Sequence, residues 1–286
     1  MTVLTGTGVW SPTLRYGDPT ASGDAAAELE SLGYTAMWLP DVGGDVWTPL
    51  DAVLAATTTA TVATGILNLW MHEPEEAAAR FHELGDAHGD RFLMGIGVSH
   101  GPFIDATGVG TYAKPLTRMR EYLDALDAAP RPVPAGGRVL AALGPRMLEL
   151  ARTRAGGAHP YLVVPEHTAT AREALGDGPL LAPEQAVVLS TDAERARTLA
   201  REHLAVYLGL PNYVNNWYRL GFTEDDTLDG GSDRLVDALV AWGDESAIRD
   251  RVQTHRDAGA DHVCIQVLGD PLPMDDWRRL AVALVD

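Results

Sequence analysis

Residues 91–100 read Arg91-Phe-Leu-Met-Gly-Ile-Gly-Val-Ser-His100, and this stretch decides the fold. An apolar run of this length, bounded by polar and glycine signals, is typical of a strand buried on both faces. Gly95 and Gly97 carry no side chain, so another chain or a flat ligand can lie close to the backbone. Ser99 and His100 follow the run, and in α/β proteins ligands usually bind at the carboxyl ends of strands. The stretch predicts a buried strand that delivers these two residues to a cofactor site; a core strand followed by a plain loop is the alternative.

Charge and composition exclude several kinds of partner. The 286 residues carry a formal net charge of -18, which argues against a nucleic-acid or anionic-membrane surface. Cys264 is the only cysteine, so no intrachain disulfide is possible, and its apolar surroundings in the sequence predict a small core residue. The sequence shows neither a signal-peptide pattern nor a long apolar window, which predicts a cytoplasmic protein.

Strand and helix patterns alternate along almost the whole chain. Eight strands are predicted, over residues 5–10, 35–39, 62–70, 91–100, 138–143, 158–164, 184–189 and 262–268. Eight such units in series, with no boundary linker, predict an α/β fold of the (β/α)8 TIM-barrel type, in a single domain of residues 1–286. A doubly wound sheet is the alternative. Residues 209–243 break the rhythm and are predicted as a strandless helical insertion between strand seven and its return helix, and residues 101–114 as a long loop.

Three polar residues at predicted strand ends are candidates for acid–base chemistry. His100 follows the fourth strand and is the first choice, with Asp41 after the second strand and His72 after the third behind it. Histidine titrates near neutral pH and can pass a proton during catalysis. Capping of the next turn is an equally good interpretation of Asp41. His203 and His255 lie in predicted helices and are expected in solvent. Because no His, Asp or Cys cluster has ligand spacing, no metal site is predicted.

Aromatic residues supply candidates for the wall of a substrate pocket. Trp10 and Trp70 lie at strand ends, where they can flank a flat ligand, whereas Trp38 lies within a strand and is expected in the core. Tyr213 and Trp217 in the insertion are expected to cover the barrel mouth. These two are four residues apart, so ordinary packing along a helix is the alternative.

Four short motifs, in order along nearly the whole chain, carry a family resemblance. They are Ala63-Thr-Gly-Ile-Leu67, Arg91-Phe-Leu-Met-Gly-Ile-Gly97, Ala141-Ala-Leu-Gly-Pro145 and Gly259-Ala-Asp-His-Val263. With them the chain resembles the bacterial-luciferase-like superfamily and, within it, the deazaflavin (F420)-dependent oxidoreductases of actinobacteria. The resemblance implies a homodimer, with F420 in the barrel mouth exchanging a hydride between its C5 carbon and a small organic substrate. An FMN-dependent monooxygenase of the same superfamily and a non-catalytic F420-binding protein are the alternatives.

The resemblance also implies which residues hold the cofactor. In similar proteins a non-prolyl cis peptide, here Gly65-Ile66, makes a bulge behind the central deazaflavin ring; an ordinary strand glycine is the alternative. In these proteins the phosphate tail is held at the start of the helix after strand five and near the next strand. The residues so implied are Gly65, Ile66, Leu67, Val98, Ser99, His100, Ala141, Ala142, Leu143, Gly144, Arg146 and His159. Related sugar-phosphate dehydrogenases carry an Asp-His pair where this chain has Asp41-Val42, so that substrate and mechanism are not expected.

Overall fold

The computed structural model describes residues 4–285, in which parallel strands alternate with helices. The strands are β1 (Gly6–Trp10), β2 (Ala36–Leu39), β3 (Thr61–Thr64), β4 (Leu67–Asn68), β5 (Phe92–Gly97), β6 (Arg138–Leu140), β7 (Gly157–Ala158), β8 (Leu180–Leu181), β9 (Glu184–Leu189), β10 (Val240–Gly243) and β11 (His262–Val267). The helices are α1 (Thr13–Tyr16), α2 (Pro19–Ser31), α3 (Trp47–Ala56), α4 (Pro74–His88), α5 (Gly101–Thr107), α6 (Pro115–Ala128), α7 (Pro145–Arg154), α8 (Pro165–Leu175), α9 (Ala193–Leu204), α10 (Pro211–Arg219), α11 (Glu224–Thr227), α12 (Asp233–Leu239), α13 (Glu245–Asp257) and α14 (Met274–Leu284), and short 3-10 helices span Ala135–Gly137 and Tyr207–Gly209.

All strand pairs in the sheet are parallel, and their order is β10-β9-β11-β1-β2-β3-β5-β6-β7-β8, with β4 beside β5. Residues 180–189, which include β8 and β9, hydrogen-bond on both sides. The Ala182 amide donates to Ala158 O at 3.0 Å, and the Asp261 amide donates to Leu181 O at 3.0 Å. The sheet is therefore curled, which is consistent with the predicted luciferase-like TIM barrel and confirms the mixed α/β class.

The strand that contains the two predicted glycines lies at the centre of this sheet. Every residue of β5 is buried. A Cβ at Gly95 would collide with the backbone carbonyl oxygen of Thr64, and one at Gly97 would collide with the side chain of Ile66. Residues 95 and 97 are therefore glycines because Thr64 and Ile66 of the same chain pack directly against β5, and not because a ligand needs the space. The Gly65-Ile66 peptide bond between β3 and β4 is cis, as predicted.

Three predicted elements are wrong. Predicted strand 158–164 is reduced to β7, because Leu162 has a left-handed φ of 50° and bonds through its N–H and C=O to side chains instead of a neighbouring strand. The predicted loop 101–114 contains α5, which ends at Gly108 in the left-handed conformation. Residues 209–243 contain a strand, since β10 pairs with β9 after α12 ends. No helix within residues 4–285 is both long enough and apolar enough to cross a membrane.

Candidate active site

A cavity of about 960 Å³ lies where the carboxyl ends of the strands meet. Its wall is built from residues that end or directly follow β1, β2, β3, β5, β6 and β7, together with side chains from α5 and from the segment between α9 and α10. A space of this size fits a cofactor or a drug-sized ligand. The position at the strand ends agrees with where the sequence placed the site.

Most of the predicted site residues line this cavity. Those that do are Trp10, Asp41, Gly65, Ile66, Val98, Ser99, His100, Ala141, Ala142, Leu143, Gly144, Arg146, His159 and Tyr213. Four do not. Leu67 and Trp217 are fully buried, with Trp217 packed against Tyr213 at 6.1 Å between ring centroids. Trp70 lies just behind the wall, where its Nε1 donates to Val98 O at 2.8 Å.

His72, the fourth of these, reaches the cavity only through Asp41. Its Nε2 lies 2.8 Å from Asp41 Oδ2, which also accepts the Asn68 amide at 3.1 Å. The other carboxylate oxygen of Asp41 accepts the Gly43 amide at 3.2 Å. Asp41 thus lines the cavity, ties the ends of β2 and β4 together and caps its own turn, and the last of these agrees with the structural alternative for this residue.

His100 begins helix α5 and faces α10. Its ring lies 5.4 Å from that of Tyr213 between centroids, and its Nδ1 is buried without a hydrogen-bond partner among residues 4–285. Burial lowers the pKa of His100 below 6.5, although the Asn212 side chain partly offsets this. The imidazole is therefore neutral at pH 7, with one nitrogen left for a ligand.

His159 follows β7 and is almost fully buried. Its Nδ1 lies 2.7 Å from Ala182 O, and because a carbonyl oxygen can only accept, Nδ1 carries the hydrogen. The ring stacks on Trp38, 4.2 Å between centroids, and burial lowers the pKa of His159 to about 4. Trp38 is itself fully buried in the core, as predicted. His159 is therefore a neutral ring whose Nε2 can only accept.

The start of α7 forms the basic part of the cavity. Gly144 precedes this helix, and Arg146 in its first turn lines the cavity together with Arg219 from the end of α10. A Cβ at Gly144 would meet only Arg219 Nη2, at 3.9 Å, so the backbone here is open. Two guanidinium groups beside the N–H groups of a helix start make a site for an anion.

Tyrosines occupy a large part of the remaining wall. Tyr161, Tyr207 and Tyr213, which we call the tyrosine cluster, all line the cavity. The Tyr161 hydroxyl donates to Gln266 Oε1 at 2.8 Å and accepts from Tyr207 at 3.2 Å. His203 Nε2 lies 3.4 Å from the same hydroxyl, and burial lowers the pKa of His203 to about 4. The expectation that His203 and His255 are solvated is wrong, since His255 is fully buried between Thr168 and Gln185.

A family model for luciferase-like monooxygenases matches residues 1–262. The chain belongs to the luciferase-like monooxygenase family. A curated relative from Mycobacterium tuberculosis, whose name assigns it provisionally to the coenzyme F420-dependent oxidoreductases, is 27% identical over 107 residues. That match spans 37% of this luciferase-like chain and only 31% of the relative.

Solved structures of the same fold include enzymes with either cofactor. An F420-dependent tetrahydromethanopterin reductase from Methanopyrus kandleri has a TM-score of 0.77 and 17% identity over 98% of both chains. An F420-dependent secondary alcohol dehydrogenase bound to an F420-acetone adduct has 0.74 and 16% over 99% of both. The FMN-bound oxygenating constituent of 3,6-diketocamphane monooxygenase from Pseudomonas putida has 0.70 and 14% over 98% of both. At these identities the likeness shows the luciferase-like fold alone.

Several cavity residues of this luciferase-like chain were missed by sequence reasoning. Tyr161 comes two residues after His159, so the strand-end argument that selected the histidine also applies to it. Tyr207, Asn212 and Arg219 have no such signal, because Tyr207 lies just before the segment that interrupts the βα rhythm, residues 209–243, and the other two lie within it. How that segment folds over the barrel mouth depends on long-range packing, which periodicity does not report.

Proposed function

We propose that the protein is an F420-dependent oxidoreductase that exchanges a hydride between the C5 carbon of the deazaflavin and a small organic substrate. One observation carries the proposal: the strand-end cavity joins an anion site at the start of α7 to a buried nitrogen of His100 that has no hydrogen-bond partner within residues 4–285. The names of the curated relative and of two structures with this fold support F420 as the cofactor. We also propose that residues 1–286 form one domain, in which α10, α11 and α12 are inserted before β10.

The residues present fit a flat cofactor with an anionic tail. When bound, a deazaflavin supplies hydride exchange at its C5 carbon. Arg146, Arg219 and the open backbone at Gly144 would hold the phosphate and carboxylate groups of the tail. Ile66 and Val98 offer apolar contacts for a ring, and Ala141 is small enough for one to approach the backbone.

The proton that accompanies hydride exchange would be handled by the protein. A carbonyl or imine that gains a hydride at carbon also gains a proton at oxygen or nitrogen, and the reverse reaction returns that proton. His100 has a nitrogen free for this transfer. Asp41, with its lone pairs bonded to the Asn68 amide, the Gly43 amide and His72, is a positioning residue that fixes the neighbouring strand ends.

A fluorescence titration of the purified protein with F420 and, separately, with FMN tests the cofactor. We expect micromolar affinity for F420 and no saturable binding of FMN. Binding of FMN alone would favour a monooxygenase, and binding of neither would overturn both assignments. Turnover of reduced F420 with a panel of enones and imines then tests for an enzyme, since an F420-binding protein without catalytic activity would bind the cofactor but consume none of the panel.

An FMN-dependent monooxygenase is the second candidate function. The observation in its favour is the FMN-bound diketocamphane monooxygenase constituent of the same fold. An anion site at the start of α7 would suit the single phosphate of FMN as well as the longer tail of F420. The paired titration therefore decides between the two cofactors, and an assay of oxygen consumption with reduced FMN decides the chemistry.

A further inference from the structure

The tyrosine cluster presents three aromatic rings to the cavity at steep mutual angles. Ring centroids lie 5.5 Å apart for Tyr161 and Tyr207, 5.1 Å for Tyr207 and Tyr213, and 6.3 Å for Tyr161 and Tyr213. The interplanar angles are 46°, 83° and 68° in the same order. Trp10 adds a fourth ring, 5.2 Å from Tyr161. These spacings and angles are those of tilted and edge-to-face ring packing, and all three tyrosines also line the cavity, where an exposed ring face can attract a cation.

A carboxyl group without a full set of partners lies behind these rings. Glu184, the first residue of β9, is fully buried. Its Oε2 accepts the Leu162 amide at 3.2 Å, but its Oε1 has no hydrogen-bond partner among residues 4–285. Burial raises the pKa of Glu184 to about 8. Burial also raises the pKa values of all three tyrosines, and the nearby Glu184 contributes to each of these shifts. Native proteins seldom leave a buried carboxyl oxygen unpaired.

The basic side chains of the cavity lie away from the cluster. Among the described lining residues these are Arg146 and Arg219. Arg219 is on the same helix as Tyr213 but six residues later, or about 9 Å along the axis. Its guanidinium bonds Asn216 Oδ1 at 3.2 Å and lies nearest the Gly144 side of the cavity. The tyrosine cluster therefore has a carboxyl group behind it and, in the part of the chain that the structure describes, no Arg or Lys side chain stacked on its rings.

We propose that the tyrosine cluster, with Glu184 behind it, is a subsite for an organic cation, either a quaternary ammonium group or a protonated amine. The ring faces attract a cation through their quadrupoles. As the pH rises through about 8 and Glu184 ionises, a cation held there would also supply the opposite charge that the buried carboxylate lacks. That the bound cation is part of the substrate rests on the proposed oxidoreductase function. That the tyrosine cluster binds a cation does not depend on that function.

Two probes of equal shape test the subsite on the protein without any cofactor. Phenyltrimethylammonium carries a fixed positive charge, and tert-butylbenzene is its neutral counterpart. We expect the cation to bind about tenfold more tightly, measured by calorimetry or by quenching of tryptophan fluorescence. Equal affinity for the two probes, or no binding of either, would overturn the proposal. Because the assay contains no F420, a negative result here would overturn the cation subsite without affecting the F420 titration, which tests the proposed function.

Two variants of one position separate ring from hydroxyl. Tyr207→Leu removes an aromatic face, and we expect the tenfold preference for the cation to disappear. Tyr207→Phe keeps the face and removes only the hydrogen bond to Tyr161, so the preference should remain. If the two variants behave alike, the ring faces are not what binds the cation. Circular dichroism checks that both variants fold.

The pH dependence tests Glu184. The groups around it are Tyr161, Tyr207, Tyr213 and Cys264, whose pKa values are all raised, and His203, whose pKa is lowered to about 4. Glu184 is thus the group among these that ionises between pH 7 and 9. Affinity for phenyltrimethylammonium should rise severalfold over that range in the wild type and stay constant in Glu184→Gln. The same rise in Glu184→Gln would remove this residue from the subsite.

Discussion

The two ends of the cavity hold charge in opposite ways. At the α7 end, Arg146 and Arg219 are exposed side chains that line the cavity themselves, so an anion can touch them. At the tyrosine end, Glu184 is buried behind aromatic rings and does not line the cavity. Contact ion pairs in an open site are screened by water. Burial raises the pKa of Glu184 to about 8, so this carboxyl becomes a weakly screened buried charge only as the pH rises through that value. Under the two proposals above, the anionic tail of the cofactor would bind at the α7 end and an organic cation at the tyrosine end.

The largest expected effect is on the chemistry where the two ends meet. We predict that His100→Ala slows single-turnover hydride transfer about 100-fold or more, because a positioned general acid–base is removed. Burial keeps the pKa of His100 below 6.5. Where His100 accepts the proton, the wild-type rate should stay constant above pH 7 and fall as the pH drops through that lowered pKa. Stopped-flow absorbance of F420 over a pH series measures both.

Affinity is the control for this prediction. Because His100 is assigned to proton transfer, the Kd for F420 should change by less than about threefold in His100→Ala. An unchanged single-turnover rate would remove His100 from the mechanism. If His100→Ala loses the pH dependence but keeps the wild-type rate at pH 8, then His100 instead controls the ionisation of a neighbouring group.

The second prediction separates the two ends by affinity. Arg219→Ala should weaken F420 binding about 10- to 100-fold, because a hydrogen bond to a charged group is lost, and the loss should shrink as salt is added. Arg249→Ala is the matched control, since it removes the same charge from an exposed residue of α13 that pairs with its neighbour Asp250. Phenyltrimethylammonium affinity should not fall in Arg219→Ala. A parallel loss of both ligands would mean that the two ends are not independent.

Sequence patterns predicted the parts of the molecule that depend on short-range order. Alternating strands and helices, the buried strand β5 and the strand-end position of His100 all follow from periodicity and from the rule on carboxyl ends. The same patterns failed at residues 158–164. An apolar run with a proline at each end looks like a strand, but side chains of Glu184 and Trp217 take the backbone hydrogen bonds of Leu162.

The tyrosine end was only partly visible to sequence reasoning. Tyr213 was predicted as a pocket residue and lines the cavity, but Tyr207 was not predicted, and Glu184 reads as an ordinary polar residue at a strand start. Only the tertiary fold shows that this carboxyl is fully buried beside three rings. The α7 end could be predicted from the sequence, because a turn of small residues before a helix is a known type of phosphate-binding site. Arg219, which completes it, was again supplied by the interrupting segment.

A third prediction concerns the stability cost of the buried carboxyl. The pKa of Glu184 is about 8 in the folded protein against an ordinary value of 4.5. The folded state therefore keeps a proton that the unfolded state releases, and this favours folding fully below pH 4.5 and is lost as the pH rises towards 8. Urea unfolding at pH 5 and pH 8 should show Glu184→Gln gaining a few kcal/mol relative to the wild type at the higher pH. The same difference at both pH values would show that Glu184 is not buried as a neutral acid.

The smallest predicted effect concerns Gly97, which lies in the part of the cavity wall that we assign to both ends. A Cβ at Gly97 would collide with Ile66 and lie 3.3 Å from the Ala141 Cβ, and both of these residues line the cavity. Gly97→Ala should therefore lower the free energy of unfolding by about 1–3 kcal/mol, because overpacking is only partly relieved by movement of Ile66. Gly23→Ala in α2 is the control, since its Cβ would meet Ala56 at an ordinary 3.6 Å, and it should be neutral or stabilising. If Ile66 moves into the cavity, F420 and phenyltrimethylammonium should both bind a few times more weakly, unlike the one-sided loss in Arg219→Ala. If Gly97→Ala has wild-type stability and binds both ligands as the wild type does, then β5 is loosely packed at Gly97, and Gly97 and Ile66 do not connect the two ends of the cavity.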